Sequence, residues 1–140
     1  MAIYEPLTPV FEDVAVVRVL VVEDDPLLRN MLSVKLSNSH CPHMFSNDGL
    51  QALDLAKQFD PQVIVLDLML PGKDGFEVLA ELKADEQVKA TPVIIFSNKS
   101  GDNERSKAIE LGASAYRIKA MTDLNELIAE VRRLAKSTAK

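Results

Sequence analysis

Apolar residues recur along this chain with two different spacings. Compact runs rich in β-branched residues fall at 17–22 (Val-Arg-Val-Leu-Val-Val), 63–66 (Val-Ile-Val-Leu) and 92–96 (Pro-Val-Ile-Ile-Phe). Each is bounded by turn formers, which predicts buried strands. Between them the apolar positions lie three or four apart, as one face of a helix requires. Such sets are Leu28, Met31, Leu32, Leu36; Leu50, Leu53, Ala56, Phe59; Phe76, Val78, Leu79, Leu82; Ala108, Ile109, Leu111; and Leu124, Leu127, Ile128, Val131, Leu134. Weaker strands are predicted at 43–45 and 115–118. Pro26 suits the first turn of a helix, where its missing N–H leaves nothing unpaired. Asp48 is expected to cap the second helix and Asp60-Pro61 to close it. Pro92 fits only the first residue of its strand, and Gly112 reads as the residue that ends the fourth helix.

Five strands alternating with five helices predict an α/β protein of (βα)5 type. Right-handed crossovers then give a doubly wound, five-stranded parallel sheet with helices on both faces, a flavodoxin-like arrangement. Residues 16–137 account for this domain, 1–15 are expected to form a flexible N-terminal arm and 138–140 a short tail, with no room for an output domain.

Composition narrows the function. With 140 residues, 47% hydrophobic and 26% charged, the chain has the make-up of one globular domain that needs no disulfide. Its single cysteine, Cys41, excludes an internal disulfide and fits a reducing compartment. A net charge of −5 argues against nucleic acid as the main partner. No apolar stretch reaches the roughly 20 residues of a membrane span. The N-terminal region carries Glu5, Glu12 and Asp13 rather than a basic flank and an apolar core, unlike a secretion signal. A cytoplasmic location is the expectation.

In a doubly wound sheet the carboxyl ends of all strands lie along one edge, where ligands bind. The residues at those ends are Glu23-Asp24-Asp25, Asp67, Ser97-Asn98 and Lys119. Four carboxylates brought to one edge repel each other unless a cation stands between them. The arrangement therefore suggests a divalent metal site with an aspartate placed to act as nucleophile.

These residues, with their neighbours, resemble the receiver domain of two-component response regulators. The segments that carry the likeness are Val-Glu-Asp-Asp-Pro (22–26), Asp-Leu-Met-Leu-Pro-Gly-Lys-Asp-Gly (67–75), Ile-Phe-Ser-Asn (95–98) and Tyr-Arg-Ile-Lys (116–119), and it extends over about 17–134. The resemblance implies that Asp67 accepts a phosphoryl group from the phosphohistidine of a sensor histidine kinase or phosphotransfer protein. It implies Mg²⁺ as cofactor, with Asp24 and Asp67 as direct ligands, the Met69 backbone carbonyl as a third and Glu23 acting through water. Lys119 would pair with the phosphoryl oxygens, and Ser97 would donate its hydroxyl to the same group. The implied switch moves Ser97 toward the phosphoryl group and Tyr116 into the space vacated. That reshapes the face formed by the fourth helix, fifth strand and fifth helix for a downstream protein. Such a domain is a signalling phosphoacceptor rather than a turnover enzyme. A single-domain, chemotaxis-type regulator or phosphorelay shuttle, monomeric or weakly dimeric and without direct nucleic-acid or membrane binding, is expected.

The chain departs from the family's pattern at two positions. Ala120 stands where proline is usual, so a trans bond or a less rigid Lys119 loop is expected. Asn98 replaces a small residue and is expected to crowd the phosphoryl group. Met69, being apolar, has no group to orient an attacking water, so self-dephosphorylation should be slow.

Other readings fare worse. A flavin phosphate at the first loop would meet Glu23-Asp24-Asp25, the wrong sign of charge. A dehalogenase-type phosphatase needs an acid two residues after the nucleophile, where Met69 stands. His40, Cys41 and His43 lack a fourth metal ligand and are split by Pro42. The charges at 126–133 read as the solvated face of the last helix. The serious rival is a module that docks partners without being phosphorylated, and it would have no need of Mg²⁺.

Overall fold

The computed structural model describes residues 16–138, and the expected arm at 1–15 lies outside the described residues. Five strands, β1 (Val19–Val22), β2 (His43–Ser46), β3 (Val63–Leu66), β4 (Val93–Ser97) and β5 (Ala115–Ile118), pair in parallel in the order β2-β1-β3-β4-β5. They alternate with helices α1 (Pro26–Asn38), α2 (Ala52–Phe59), α3 (Gly75–Ala84), α4 (Asp102–Glu110) and α5 (Leu124–Thr138), and a 3₁₀ turn (Lys119–Met121) follows β5.

Successive strand residues point to opposite faces, and both faces are covered. Val19, Val21, Val63, Val65, Ile94 and Phe96 pack with Leu32 and Leu36 of α1 and with Leu127, Ile128, Val131 and Leu134 of α5. Leu20, Val22, Ile64, Leu66, Val93 and Ile95 face the other way, against Ala52 and Ala56 of α2, Val78, Leu79 and Leu82 of α3, and Ala108 of α4. This is why the central strands carry unbroken apolar runs. Each fully buried Leu, Ile or Val stabilises the fold by roughly 1.5–3 kcal/mol relative to exposure.

Local chemistry sets the helix ends. Asp25 caps α1, its carboxylate accepting the Leu27 N–H, with Pro26 in the first turn. Asp74 caps α3 by accepting the Phe76 N–H. Gly112 takes φ 109° just beyond α4, a conformation that glycine adopts without strain.

Several expectations are corrected. The β1 ladder begins at Val19, because the Arg18 N–H donates to the Gln62 side chain instead of a strand. β4 begins at Val93, one residue after Pro92. Asp48 does not cap α2: its carboxylate accepts the Leu50 and Gln51 N–H groups in a turn, and the helix starts at Ala52. Met31, Leu50 and Ile109 face solvent rather than the core. On α5, Glu130 is buried, not solvated. It accepts from Arg117 of β5 and from Arg133 one turn on, a tie between strand and helix.

Candidate functional site

Strand register builds the site. Val22 of β1 lies opposite Leu66 of β3, Leu66 opposite Ile95 of β4, and Ser97 opposite Ile118 of β5. Glu23, Asp67 and Lys119 each follow the last residue of a strand, so they emerge together at one edge, with Ser97 closing β4 beside them. The ladder continues just far enough to hold the acids. The Asp67 N–H donates to the Val22 carbonyl at 3.1 Å and the Glu23 N–H to the Ser46 carbonyl at 2.9 Å.

At that edge Glu23 and Asp67 are almost wholly buried, 2% and 4% exposed, and Asp24 is exposed beside them. One oxygen from each of the three carboxylates lies within 4.8 Å of the others. The Lys119 ammonium bridges the two buried acids, 2.8 Å from Glu23 Oε1 and 2.9 Å from Asp67 Oδ2. Their other oxygens are also used: Glu23 Oε2 accepts the Asp25 N–H and Asp67 Oδ1 accepts the Met69 N–H, both at 3.0 Å.

Burial pushes the Glu23 carboxyl above its ordinary value, opposed by the Lys119 ammonium and the Asp25 N–H. Burial alone would lower Lys119, but its bonds to Asp67 and Glu23 more than offset this and hold it above the ordinary lysine value, firmly charged. Burial likewise raises Tyr116, with Glu104 adding to the effect.

The loop after β3 approaches α3 closely. A Cβ on Gly75 would lie 2.4 Å from the Leu68 Cα and 2.8 Å from the Asp67 carbonyl oxygen, so only glycine lets this loop lie against the helix. The Met69 side chain is 56% exposed over the site. Asp24, Met69, Lys73 and Lys99 line an open depression there, through which a ligand can enter.

On the β4 side, Ser97 is fully buried and its hydroxyl accepts the Lys99 N–H at 3.3 Å. The Tyr116 ring is already packed inward, 6% exposed, and its hydroxyl donates to the Lys99 carbonyl at 2.6 Å. The Asn98 side-chain carbonyl accepts the Ala120 N–H at 3.1 Å. No peptide bond among the described residues is cis, so the Lys119–Ala120 bond is trans. Away from the edge, His43 is occupied by the Cys41 carbonyl and the Ser33 hydroxyl, and Cys41 is buried.

Two roles were missed from the sequence. Asp25 both caps α1 and donates its N–H to Glu23, and the Asp-Pro pair is the signal that could have disclosed the cap. Lys99 acts through its backbone, joining Ser97 to Tyr116, and nothing in its residue type announces that.

The donor set fits a small, hard divalent cation. Carboxylate oxygens converge within 4.8 Å, one of them on an exposed residue that leaves room for water, and among the described residues no sulfur or imidazole joins them. What the arrangement offers is a buried carboxylate bridged by an ammonium to a second buried acid, next to an open depression that the exposed Asp24 lines.

The model of the response regulator receiver domain matches residues 19–132. This chain belongs to that family. It is 33% identical over 121 residues to the DNA-binding dual master transcriptional regulator RpaA of Synechocystis, a match covering 86% of this chain and 50% of that protein. The chain thus spans about half the length of that curated relative. The receiver domain of the Francisella response regulator 1452 superposes with a TM-score of 0.80 at 31% identity, covering 88% of this chain and 99% of that one. The response regulator Rcp1, solved in a form with Mn²⁺ bound, superposes at 0.72 with 28% identity, covering 89% and 97%. The chain is thus a two-component receiver domain, a class of signalling phosphoacceptors whose acidic pocket takes a divalent cation. No described helix is long and apolar enough to cross a membrane.

Proposed function

We propose that this receiver accepts a phosphoryl group on Asp67 from a sensor histidine kinase or phosphotransfer protein and signals by a change of shape. The observation that carries the reading is Asp67 itself: a carboxylate buried at the end of β3, held by the Lys119 ammonium and the Met69 N–H. The Lys119 ammonium donates to one oxygen of the nucleophile and the Met69 N–H to the other, which fixes its rotation. An Asp67 oxygen attacks phosphorus, the O–P bond forms, and the P–N bond of the donor imidazole breaks. Mg²⁺, held by Asp24, Asp67 and the Met69 carbonyl with Glu23 acting through water, would neutralise the charge shared between acid and phosphoryl oxygens. As the phosphoryl group arrives, Lys119 exchanges the Asp67 oxygen for a phosphoryl oxygen. Ser97 donates its hydroxyl proton to another as a hydrogen bond.

Ser97, Lys99 and Tyr116 already form one chain of hydrogen bonds, so movement of Ser97 draws on the tyrosine. The outcome is read on the face of α4, β5 and α5, where Ile109 and Met121 are exposed. With a net charge of −5, a protein partner suits this face better than nucleic acid, as in a chemotaxis-type or phosphorelay protein of the cytoplasm, monomeric or weakly dimeric. RpaA, by contrast, is a DNA-binding regulator.

The test is a Mg²⁺ titration combined with labelling by acetyl phosphate. Mg²⁺ binding and Mg²⁺-dependent labelling, abolished in Asp67→Asn, are expected. No binding at millimolar Mg²⁺ and no labelling would leave a docking module instead.

A further inference from the structure

We propose that Asn98 is a positioning residue for Lys119, gripping the backbone of the loop that carries the ammonium and tying it to the Ser97 end of β4. The idea rests on the phosphoacceptor reading above and adds to it the residue that sets where the lysine sits.

Lys119, Ala120 and Met121 form the 3₁₀ turn after β5. The first N–H groups of a helical turn have no partner within it. The Ala120 N–H is one of these, and the acceptor it finds is Asn98 Oδ1 at 3.1 Å, 22 residues away in another loop. The far side of the turn is closed by Thr122, whose hydroxyl donates to the Ile118 carbonyl at 2.8 Å and whose N–H donates to the Lys119 carbonyl at 3.4 Å. The lysine backbone is therefore held from one side by its own turn and from the other by Asn98.

Asn98 is itself well anchored. Ser97 before it is paired into the sheet opposite Ile118. Lys99 after it is held at both its N–H and its carbonyl, by Ser97 and Tyr116. A displacement of Ser97 therefore carries Asn98 with it, and Asn98 pulls on the loop that aims the ammonium at Glu23 and Asp67. The bond depends on residue types at both ends. Proline at 120 would have no N–H to offer, and alanine at 98 would have no acceptor. The two residues are exposed, so the expected effect is that of one ordinary hydrogen bond, about two- to tenfold.

Two readouts test this in the intact chain. Hydrogen exchange followed by NMR should show the Ala120 amide exchanging about two- to tenfold faster in Asn98→Ala, with strand amides unchanged. The rate constant for labelling by acetyl phosphate at saturating Mg²⁺ should fall by a similar factor. In an Ala120→Pro background there is no N–H to hold, so adding Asn98→Ala should change the rate less than about twofold. An unchanged Ala120 amide in Asn98→Ala would overturn the proposal. So would an equal rate loss in both backgrounds, which would mean that Asn98 acts on the phosphoryl group directly. If the wild-type protein takes no label at all, the phosphoacceptor reading fails, and the amide exchange still decides whether Asn98 holds the loop.

Discussion

Replacing Lys119 by methionine removes the cation between two buried acids and keeps most of the side chain's apolar length. The Lys119 Nζ sits 2.8 and 2.9 Å from oxygens of Glu23 and Asp67, so at an effective dielectric of about 20 each contact supplies roughly 6 kcal/mol of gross attraction. Desolvating the ammonium offsets several kcal/mol of this. What remains in the variant is two carboxylates with oxygens no more than 4.8 Å apart, repelling by about 3 kcal/mol or more. One of them can escape by taking up a proton. For Glu23, starting from its ordinary value of 4.5, that costs about 3 kcal/mol at pH 7, and less because burial has already raised it. Proton uptake thus caps the penalty, and Lys119→Met should lose about 3 kcal/mol at pH 7 without metal, near 10 °C in Tm.

The pH dependence has a definite sign. In the variant the folded Glu23 lies further above 4.5 than in wild type, so from that value upward the folded state holds more protons than the unfolded one. Stability of the variant therefore falls as pH rises through this window. Its deficit against wild type should shrink as pH is lowered toward about 5. Added Mg²⁺ should raise the Tm of the variant more than that of wild type, because it replaces the missing charge. Urea and thermal unfolding in chelator, with and without Mg²⁺, measure all of this. A loss under about 1 kcal/mol in chelator that is independent of pH would refute the reasoning.

Gly75→Ala should destabilise the protein by about 1–3 kcal/mol, because the new methyl group meets the backbone of Leu68 and Asp67; unfolding in urea measures it, and a neutral result would mean the loop yields freely. Glu130→Gln should cost about 1–3 kcal/mol, since Arg117 and Arg133 lose a charged acceptor that is itself buried. High salt should leave most of that loss in place, whereas a pair open to solvent would lose its contribution to screening. Once labelled, the protein should keep its phosphoryl group for minutes or longer after the donor is removed, because Met69 presents no group that orients water. Decay within seconds would contradict this.

The strands and helices were legible because burial on both faces leaves unmistakable apolar runs. The β3 and β5 boundaries were read correctly at 63–66 and 115–118. The family's segments placed Glu23, Asp24, Asp67, Ser97 and Lys119 at strand ends, where the fold has them. What escaped depends on contacts between distant elements. Leu50 fits the helical spacing of α2, yet Asp48 holds the chain in a turn there and leaves the leucine exposed. Glu130 reads as one of several charges on a polar helix face, and only the packing of α5 against β5 puts Arg117 beside it. Asn98 and Ala120 look like two separate departures from the family pattern, but they are the two ends of one hydrogen bond.

The central claim is that Asp67 carries the phosphoryl group, and chemical trapping of the acyl phosphate tests it most directly. After reaction with acetyl phosphate and Mg²⁺, borohydride reduces an aspartyl phosphate to homoserine, which peptide mass spectrometry can locate. Homoserine at position 67, absent from the metal-free sample and from Asp67→Asn, is the predicted result. Homoserine at another acid, or none at all in a sample where a known receiver is converted, would contradict the account.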